Sequence, residues 1–231
     1  NVTAAKKCEV FPIEFVVRGF ITGSSATSLW TVYNNGDREY CGLSFPDGLK
    51  KNQRLDAPVL TPTTKEEAHD RPISPAVIVE EGWMTQEDWD ATSQVALELF
   101  KRGQETASRN GLILVDTKYE MGKDSNGTLT LVDEIHTPDS SRYWIEETFE
   151  ARFEAGQEPQ NVDKEFLRLW FKDNCDPYGD EVLPAAPRDL VVELSRRYLY
   201  LYERITGEPF PFPATGEPVQ TRMEKNLSTY I

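Results

Sequence analysis

The chain has 231 residues, of which 39% are hydrophobic and 11% aromatic, so it can bury a sizeable core in one large domain or two small ones. Its formal net charge of -14 argues against a nucleic-acid backbone or an anionic membrane as the main partner, because both attract basic surfaces. An anionic substrate would therefore need a local cluster of Arg, Lys or metal.

The cysteines and the hydropathy indicate a soluble protein of a reducing compartment. Cys8, Cys41 and Cys175 are odd in number and widely spaced, which predicts neither a disulfide framework nor a zinc site. No apolar run approaches the roughly 18 residues that a membrane span needs, and the N-terminal residues lack a signal-peptide pattern.

Residues 10–22, VFPIEFVVRGFIT, are β-branched and aromatic and predict a mostly buried strand. Alternation places Glu14 and Arg18 on the same face of it. The pair is either a structural ion pair or the wall of a cleft. In the second interpretation, the backbone and hydroxyl groups of Thr22-Gly23-Ser24 could hold a phosphate.

The middle of the chain combines irregular structure with one clear helix. Residues 34–82 are rich in Gly, Pro, Asn and Asp and predict loops and short strands. The segment from Thr85 to about Asn110 predicts a scaffold helix, because Thr85 and Asp88 form a plausible cap and apolar residues recur at helical spacing.

A β-hairpin is predicted next, with GLILVDTKYEMG and TLTLVDEIHTP as its strands and Asn126-Gly127 as its turn. Alternation places Asp116, Lys118 and Glu120 on one face. A two-residue turn would set Glu120 opposite Asp133, where like charges are destabilising.

Two opposed acids need a bound cation, a shared proton or solvent screening. Mg²⁺ takes one or two carboxylates together with substrate phosphates, and Lys118 could reach a phosphate or a substrate carboxylate. The pattern thus fits a Mg-nucleotide site, but a charged, solvated hairpin fits it as well. A one-residue bulge would undo the register.

The residues beyond the hairpin, HTPDSSRYW, predict a turn that leaves the strand end. Arg142 within it could clamp an anion and, with Arg18 and Lys118, supply the local positive field that an acidic protein needs. Alternation points His136 away from the acidic face, which indicates a structural role. The sequence has neither a GxxxxGK[ST] loop nor a GxGxxG loop.

Two further helices are predicted at about 161–174 and 187–206, the second beginning at Pro187 and ending at Gly207. The tail of residues 207–231 is rich in proline and polar residues. We expect it to lie on the surface or to fray.

Five segments in the same order resemble the SAICAR synthetases, and the extended style is most similar to those of plants and fungi. The segments are PIEFVVRGFITGS (12–24), LTPTTK through HD (60–70), GLILVDTKYEMG (111–122), DEIHTPDSSRYW (133–144) and DKEFLR (163–168). The resemblance implies an α+β fold with an antiparallel-rich sheet flanked by helices and a nucleotide cleft of the ATP-grasp or kinase-like kind. It also implies a cytoplasmic protein, or one of the plastid stroma if the source is a plant.

The resemblance implies a ligase of purine biosynthesis. ATP phosphorylates the carboxylate of carboxyaminoimidazole ribonucleotide (CAIR), and the amine of L-aspartate then displaces phosphate. The implied partners are these small molecules, with no nucleic acid or membrane, in a monomer or a homo-oligomer. The implied cofactors are ATP and Mg²⁺.

The resemblance also implies roles for individual residues. Lys118 and Asp139 are expected to be catalytic, and Glu120 and Asp133 to hold the metal. Asp116, Glu120, Asp133 and Lys164 are expected at the nucleotide. The expected substrate contacts are Glu14, Arg18, Ser24, Lys65, Asp70 and Arg142, of which Arg18, Ser24 and Arg142 would bind the ribonucleotide phosphate.

The family's N-terminal lobe, with a GK-x-R-D-like strand pair and a T-D-R-x-S-x-F-D segment, has no counterpart in this sequence. We therefore expect residues 1–206 to correspond to the catalytic body without the lobe that covers ATP. The alternative is a non-catalytic fragment that binds the ribonucleotide or another partner.

Overall fold

The computed structural model describes residues 5–65, 70–162, 164–176, 179, 181–212 and 216–230. It has the mixed α/β architecture that the sequence predicts. The strands are β1 Glu9–Val10, β2 Ile13–Ile21, β3 Glu39–Tyr40, β4 Leu43–Ser44, β5 Gln53–Leu60, β6 Thr63–Thr64, β7 Leu112–Tyr119, β8 Met121–Lys123, β9 Leu129–Leu131 and β10 Ser141–Ile145. The helices are α1 Leu29–Asn34, α2 Pro75–Glu80, α3 Gln86–Arg109, α4 Glu146–Glu154, α5 Glu165–Asn174, α6 Arg188–Thr206 and α7 Val219–Leu227.

The central sheet has the strand order β10-β7-β2-β5, and β6 also pairs with β2. All of these pairings are antiparallel. The long predicted strand near the N-terminus is β2, which crosses the middle of the sheet. Two smaller sheets have the strand orders β1-β8-β9 and β3-β4.

Helix α3 covers one face of the central sheet. Thr85 caps it by accepting a hydrogen bond from the backbone N–H of Asp88, and Asn110 follows its last residue. Its fully buried residues Ala96, Phe100 and Ala107 pack in one core with Phe15 and other residues of β2 and β7. The helix predicted for this segment is confirmed, and its packing supports the predicted scaffold role.

The opposite face of the sheet is divided into an apolar end and a charged end. Phe20, Val115 and Trp144 form a small core at the apolar end. The charged end begins where Arg18 pairs with Asp116 and Val16 with Lys118 across β2 and β7. A register shift between Arg142 and Tyr143 lets Arg142 of β10 lie opposite Asp116 at this end.

The predicted hairpin register is wrong by one residue. Met121 pairs with Leu131 and Lys123 with Leu129, so the backbone carbonyl of Glu120 accepts from the N–H of Val132, 3.1 Å away, and Glu120 is not opposite Asp133. The loop contains three residues, since the N–H of Asp124 bonds to the carbonyl of Thr128. In addition, β9 pairs with β8, whereas β7 pairs with β2 and β10.

Other boundaries also differ from the sequence predictions. Arg142 lies within β10 instead of in a turn. Helix α5 begins only at Glu165, whereas α6 matches its prediction and ends at Gly207, which has φ 72°. The tail after Gly207 contains α7, and the region predicted as loops and short strands contains the eight-residue β5. None of the described helices is long and apolar enough to cross a membrane.

Candidate active site

The charged end of the sheet carries two adjacent clusters of side chains. The Lys118 cluster consists of Glu14, Lys65, Lys118, Glu120 and Asp133. The Arg142 cluster consists of Arg18, Ser24, Asp116, Arg142 and Glu165. Asp116 and Lys118 lie on the same face of β7, two residues apart, which places the two clusters next to each other.

In the first cluster, the Lys118 ammonium lies among three carboxylates. Its Nζ is 2.7 Å from Glu120 Oε1, 3.3 Å from Glu14 Oε1 and 3.5 Å from Asp133 Oδ2. Lys65 forms a second ion pair with Glu120. Glu120 and Asp133, the two predicted metal ligands, therefore both contact the Lys118 ammonium, although their predicted strand pairing is wrong.

The carboxylates keep Lys118 charged. Burial lowers the pKa of Lys118, but the hydrogen bond to Glu120 and the charge of Glu14 outweigh that effect, so that the pKa is raised. Burial likewise raises the pKa of Glu120, and its bonds to Lys118 and Lys65 lower it below the usual range. Both groups are ionised at neutral pH.

An open cleft of about 430 Å³ adjoins this cluster. Its polar lining comes from Lys65, Glu120 and Asp133, and its apolar lining from Val10, Phe11, Pro12 and Val132. A cleft with an apolar wall and charged groups at one end suits a ligand that has a flat apolar part and an anionic part.

In the second cluster, Asp116 is the shared partner of two arginines. Its Oδ2 lies 2.7 Å from Arg142 Nη1 and 3.5 Å from Arg18 Nη1. The side chains of all three residues are less than one fifth exposed. Arg18 also donates from Nε to the hydroxyl of Thr61, at 2.8 Å. One carboxylate thus holds two guanidinium groups in fixed positions.

Glu165 closes the second cluster from helix α5. It accepts a hydrogen bond from Ser24 Oγ, 2.6 Å from Oε1, and its Oε2 lies 3.6 Å from Arg142 Nη2. Burial raises the pKa of Glu165, but the positive charge of Arg142 and the Ser24 hydroxyl lower it overall. The predicted phosphate-binding residues Arg18, Ser24 and Arg142 are thus brought together, and a carboxylate that the sequence prediction missed lies among them.

Asp139 and Lys164 form a third pair at the rim of the Arg142 cluster. Lys164 Nζ lies 2.7 Å from Asp139 Oδ1, which also accepts a hydrogen bond from the Tyr198 hydroxyl at 3.2 Å. The bond from Lys164 lowers the pKa of Asp139. A pocket of about 100 Å³ is lined by this pair together with Arg142 and Arg168.

Several predicted site residues have partners different from those expected. Glu14 and Arg18 do not form the ion pair with each other that was one interpretation: Glu14 accepts from Thr63 and pairs with Lys118, whereas Arg18 pairs with Asp116. Asp116, predicted at the nucleotide, contacts the arginines.

Lys164, also predicted at the nucleotide, lies on the Arg142 side of the site, and Asp70 is exposed. Residues 66–69, which belong to the same predicted loop as Lys65 and Asp70, lie outside the described residues.

The sequence prediction missed Thr61, Thr63, Glu165, Arg168 and Tyr198. Glu165 and Arg168 belong to the DKEFLR segment, which was noted for its resemblance and from which only Lys164 was selected. Tyr198 lies in a helix 59 residues from Asp139, and nothing in its local pattern distinguishes it from a packing residue.

The carboxylates of the Lys118 cluster are compatible with a cation that takes most of its ligands from phosphate. Among the residues that the structure describes, no group of three or more His, Cys, Asp or Glu is arranged to hold a metal ion. Glu120 and Asp133 both line the open cleft, and Mg²⁺ in nucleotide sites usually takes only one or two protein carboxylates. These residues therefore fit Mg²⁺ bound as a nucleotide complex.

Comparison with known proteins decides the family. The model of the SAICAR synthetase family matches residues 1–185. The chain belongs to the SAICAR synthetase family. SAICAR synthetases join aspartate to CAIR in an ATP-dependent step of purine biosynthesis, and the alternative of a non-catalytic fragment is not favoured.

Bacterial, plant and yeast SAICAR synthetases are similar to the chain. A phosphoribosylaminoimidazole-succinocarboxamide synthase of Legionella pneumophila (strain Paris) is 64% identical over 231 residues, which is 100% of this chain and 74% of that protein. A chloroplastic one of Arabidopsis thaliana is 62% identical over 228 residues, 99% of this chain and 56% of that protein.

A solved structure of the family has the same fold. The SAICAR synthase of Saccharomyces cerevisiae complexed with SAICAR has a TM-score of 0.72 and 33% identity, and the match covers 89% of this chain and 64% of that one. The chain thus spans between about half and three quarters of the length of these SAICAR synthetases.

Proposed function

We propose that the chain forms the substrate-binding and nucleotide-binding face of an ATP-dependent ligase that joins L-aspartate to CAIR and yields SAICAR, ADP and phosphate. The observation that carries the proposal is the adjacency of the two clusters, with Asp116 and Lys118 two residues apart on one face of β7. A phosphoryl transfer between two anionic substrates needs both substrates side by side, with their charges neutralised.

The Arg142 cluster would bind the phosphate of the ribonucleotide. Arg18 and Arg142 would supply guanidinium groups and Ser24 a hydroxyl, which are strong donors to phosphate oxygens. Asp116 would fix the two guanidinium groups in position, so that little side-chain entropy is lost on binding. Glu165 accepts the hydrogen bond of the Ser24 hydroxyl and lies near Arg142. The incoming phosphate would compete with Glu165 for both donors.

The Lys118 cluster would bind the nucleotide. Glu120 and Asp133 would hold Mg²⁺, which when bound would neutralise the phosphate charge and orient the γ-phosphoryl group. The apolar wall of the cleft would receive the base of the nucleotide. Lys65 pairs with Glu120, and Glu14 pairs with Lys118. Both residues would contact substrate in this region.

The proposed reaction has two steps. A carboxylate oxygen of CAIR attacks the γ-phosphorus of ATP, and the bond to the β-phosphate oxygen breaks, giving an acyl phosphate and ADP. The amine nitrogen of aspartate then attacks the acyl carbon, phosphate leaves, and the nitrogen loses a proton. Lys118 would stabilise the charge that develops on the transferred phosphoryl group.

The third pair of residues would serve the aspartate step. Asp139 and Lys164 flank the pocket beside Arg142, where the carboxylate could receive an ammonium group and the lysine a substrate carboxylate. Asp70 is exposed beside the segment that carries Lys65 and would contact substrate at the rim. The odd number and wide spacing of Cys8, Cys41 and Cys175 in the sequence support a reducing compartment such as the cytoplasm or the plastid stroma.

The test is an assay of ADP release by the full-length protein that contains this chain. Release should require CAIR and aspartate together, and Asp133→Asn should reduce kcat/KM at least about 100-fold, because the substitution removes an ionised ligand at the phosphoryl group. The matched control is Asp56→Asn, which changes an exposed carboxylate of β5 and should leave the rate unchanged.

Two results would contradict the proposal. ADP release without aspartate or CAIR would exclude the coupled ligase reaction. Near-normal turnover of Asp133→Asn would remove the metal assignment from Asp133 while leaving the reaction class intact. Circular dichroism of both variants distinguishes a loss of activity from a loss of fold.

A further inference from the structure

We propose that His136 is a positioning residue that fixes the two ends of segment 132–140 relative to each other. The inference rests on the proposed function, because this segment carries Asp133 of the Lys118 cluster and Asp139 beside the Arg142 cluster. Both carboxylates are about half exposed and lie in a stretch of chain outside the described strands. At the two ends of the segment, the N–H of Val132 bonds to the carbonyl of Glu120 and the N–H of Lys118 to the carbonyl of Ser140, and between these ends the segment needs a further anchor.

The side chain of His136 is anchored on the α3 side of the sheet. Its Nε2 lies 2.6 Å from the hydroxyl of Tyr119, and the two rings meet edge to face with centroids 5.6 Å apart. Tyr119 is fully buried in the main core. The anchor therefore connects the segment with the close-packed main core.

The backbone of His136 is held by a second tyrosine. Its carbonyl accepts a hydrogen bond from the hydroxyl of Tyr143, at 2.8 Å, and Tyr143 belongs to β10 next to Arg142. His136 has φ 56°, a left-handed conformation that non-glycine residues rarely adopt. Such a conformation persists only where its surroundings enforce it, and here the two tyrosines do so.

Helix α3 makes room for the histidine ring. A Cβ at Gly103 would lie 2.4 Å from His136 Cε1 and 2.6 Å from Leu114 Cδ2. Glycine inside a helix is less favourable than alanine, so its place in α3 is explained by the space that these two side chains need. The ring of His136 thus packs between Gly103 of the helix and Tyr119.

The segment is anchored near its middle, three residues from each carboxylate. Asp133 reaches towards Lys118 and Asp139 towards Lys164. Because a displacement of about 1 Å at reacting groups can reduce a rate about 100-fold, the anchor affects both substrates although its ring lies on the opposite side of the sheet from them.

The decisive variant is Tyr119→Phe, which removes one hydroxyl and leaves the ring. In the full-length protein we expect kcat/KM to fall about tenfold for both ATP and CAIR. We also expect the amides of residues 132–140 to exchange with deuterium faster than in the unchanged protein. The matched control is Tyr33→Phe, which likewise removes one hydrogen-bonded hydroxyl from a buried tyrosine: that of Tyr33 bonds to the backbone of Pro46 and Leu49, at 2.8 and 3.0 Å.

The Tm of Tyr33→Phe should fall by about as much as that of Tyr119→Phe. Its kcat/KM and the exchange at residues 132–140 should not change. Unchanged kcat/KM and exchange in Tyr119→Phe would overturn the inference. His136→Asn, which tolerates the left-handed conformation but lacks the ring, should behave like Tyr119→Phe. If the unchanged full-length protein shows no aspartate-dependent ADP release, the proposed function fails, and the exchange measurement still decides the role of His136.

Discussion

The Asp116 carboxylate and the Arg142 guanidinium face each other across β7 and β10, with 2.7 Å between Oδ2 and Nη1. This pair and the Arg18 contact to the same oxygen leave three charges almost out of water. A mostly buried charge is tolerated only when it is paired and hydrogen-bonded. The site is therefore built on a carboxylate that need not contact any substrate.

Replacing that carboxylate should destabilise the protein. Asp116→Asn leaves two largely buried guanidinium groups facing a neutral amide, and we expect the free energy of unfolding to fall by about 1–3 kcal/mol. Denaturation with urea measures the change. Asp47→Asn is the control, because Asp47 pairs with Arg38 but is 90% exposed, and should cost less than about 0.5 kcal/mol. Equal losses in the two variants would contradict the role of Asp116.

The shape of the guanidinium group should matter as well as its charge. Arg142→Lys keeps the positive charge but loses the fork that can contact Asp116, Glu165 and a phosphate together. We expect KM for CAIR to rise about tenfold or more with a small change in kcat, since one charged hydrogen bond contributes about 1.5 kcal/mol. Arg38→Lys, at an exposed pair, should leave KM unchanged. A normal KM in Arg142→Lys would place the phosphate elsewhere.

The cap of α3 should affect stability without affecting the reaction. Thr85→Ala removes the acceptor for the N–H of Asp88 and should lower the free energy of unfolding by about 1 kcal/mol. Thr85→Ser keeps the acceptor and should lose little. Because α3 lies on the face of the sheet away from both clusters, kcat/KM well below Tm should be unchanged in both variants. A selective loss of activity in Thr85→Ala would show that α3 does more than support the sheet.

The local elements of this fold could be predicted because their signals are local. Helix α3 has a capping residue and a helical spacing of apolar residues within one segment, and β2 has a run of β-branched and aromatic residues. Alternation also predicts which faces of β2 and β7 carry Arg18 and Lys118. Helix α7, preceded by Pro218 and with no buried residue, gave no apolar pattern to read.

The hairpin shows why the register could not be predicted. An Asn-Gly pair is compatible with two-residue and three-residue loops, and the choice depends on Asp124, whose side chain accepts from the N–H groups of Asn126 and Thr128. A shift of one residue moves every side chain to the other face. Asp133 nevertheless reaches Lys118, because it lies beyond the end of β9, where strand alternation no longer applies.

The contacts of the Arg142 cluster could not be predicted because they join residues distant in the chain. Ser24 and Glu165 are 141 residues apart and Arg18 and Asp116 are 98 apart. Neither spacing has a periodic signal. The family resemblance indicated which residues to consider, and the fold assigns Asp116 to the arginines.

The half-buried histidine should make stability depend on pH. Burial lowers the pKa of His136 to about 4, whereas an unfolded histidine titrates near 6.5. The unfolded chain thus binds more protons between these values, so the stability that depends on the neutral ring is complete above pH 6.5 and is lost as the pH falls towards 4. His136→Asn lacks this titration. The stability difference between the two proteins should therefore shrink as the pH falls from 6.5 to 4, and a constant difference would contradict the burial of a neutral ring.

Lys118 should act as a permanent cation and not as a proton acceptor. The neighbouring carboxylates of Glu120 and Glu14 outweigh burial and raise its pKa, so the ammonium keeps its proton across the working range. Lys118→Met should reduce kcat/KM by about 100-fold or more, because the charge that stabilises the phosphoryl group is lost. Lys118→Arg keeps a charge and should retain more activity than Lys118→Met.

The pH profile of kcat distinguishes the two roles of Lys118. A lysine that had to lose its proton would make the rate increase with pH up to its pKa. If the rate of the unchanged protein increases between pH 7 and 10, we expect Lys118→Arg to show the same increase. Lys123→Met is the matched control, since Lys123 at the end of β8 pairs with Asp88, and this variant should leave the rate unchanged. An increase in rate that requires Lys118 would make this residue a base and would contradict the electrostatic role.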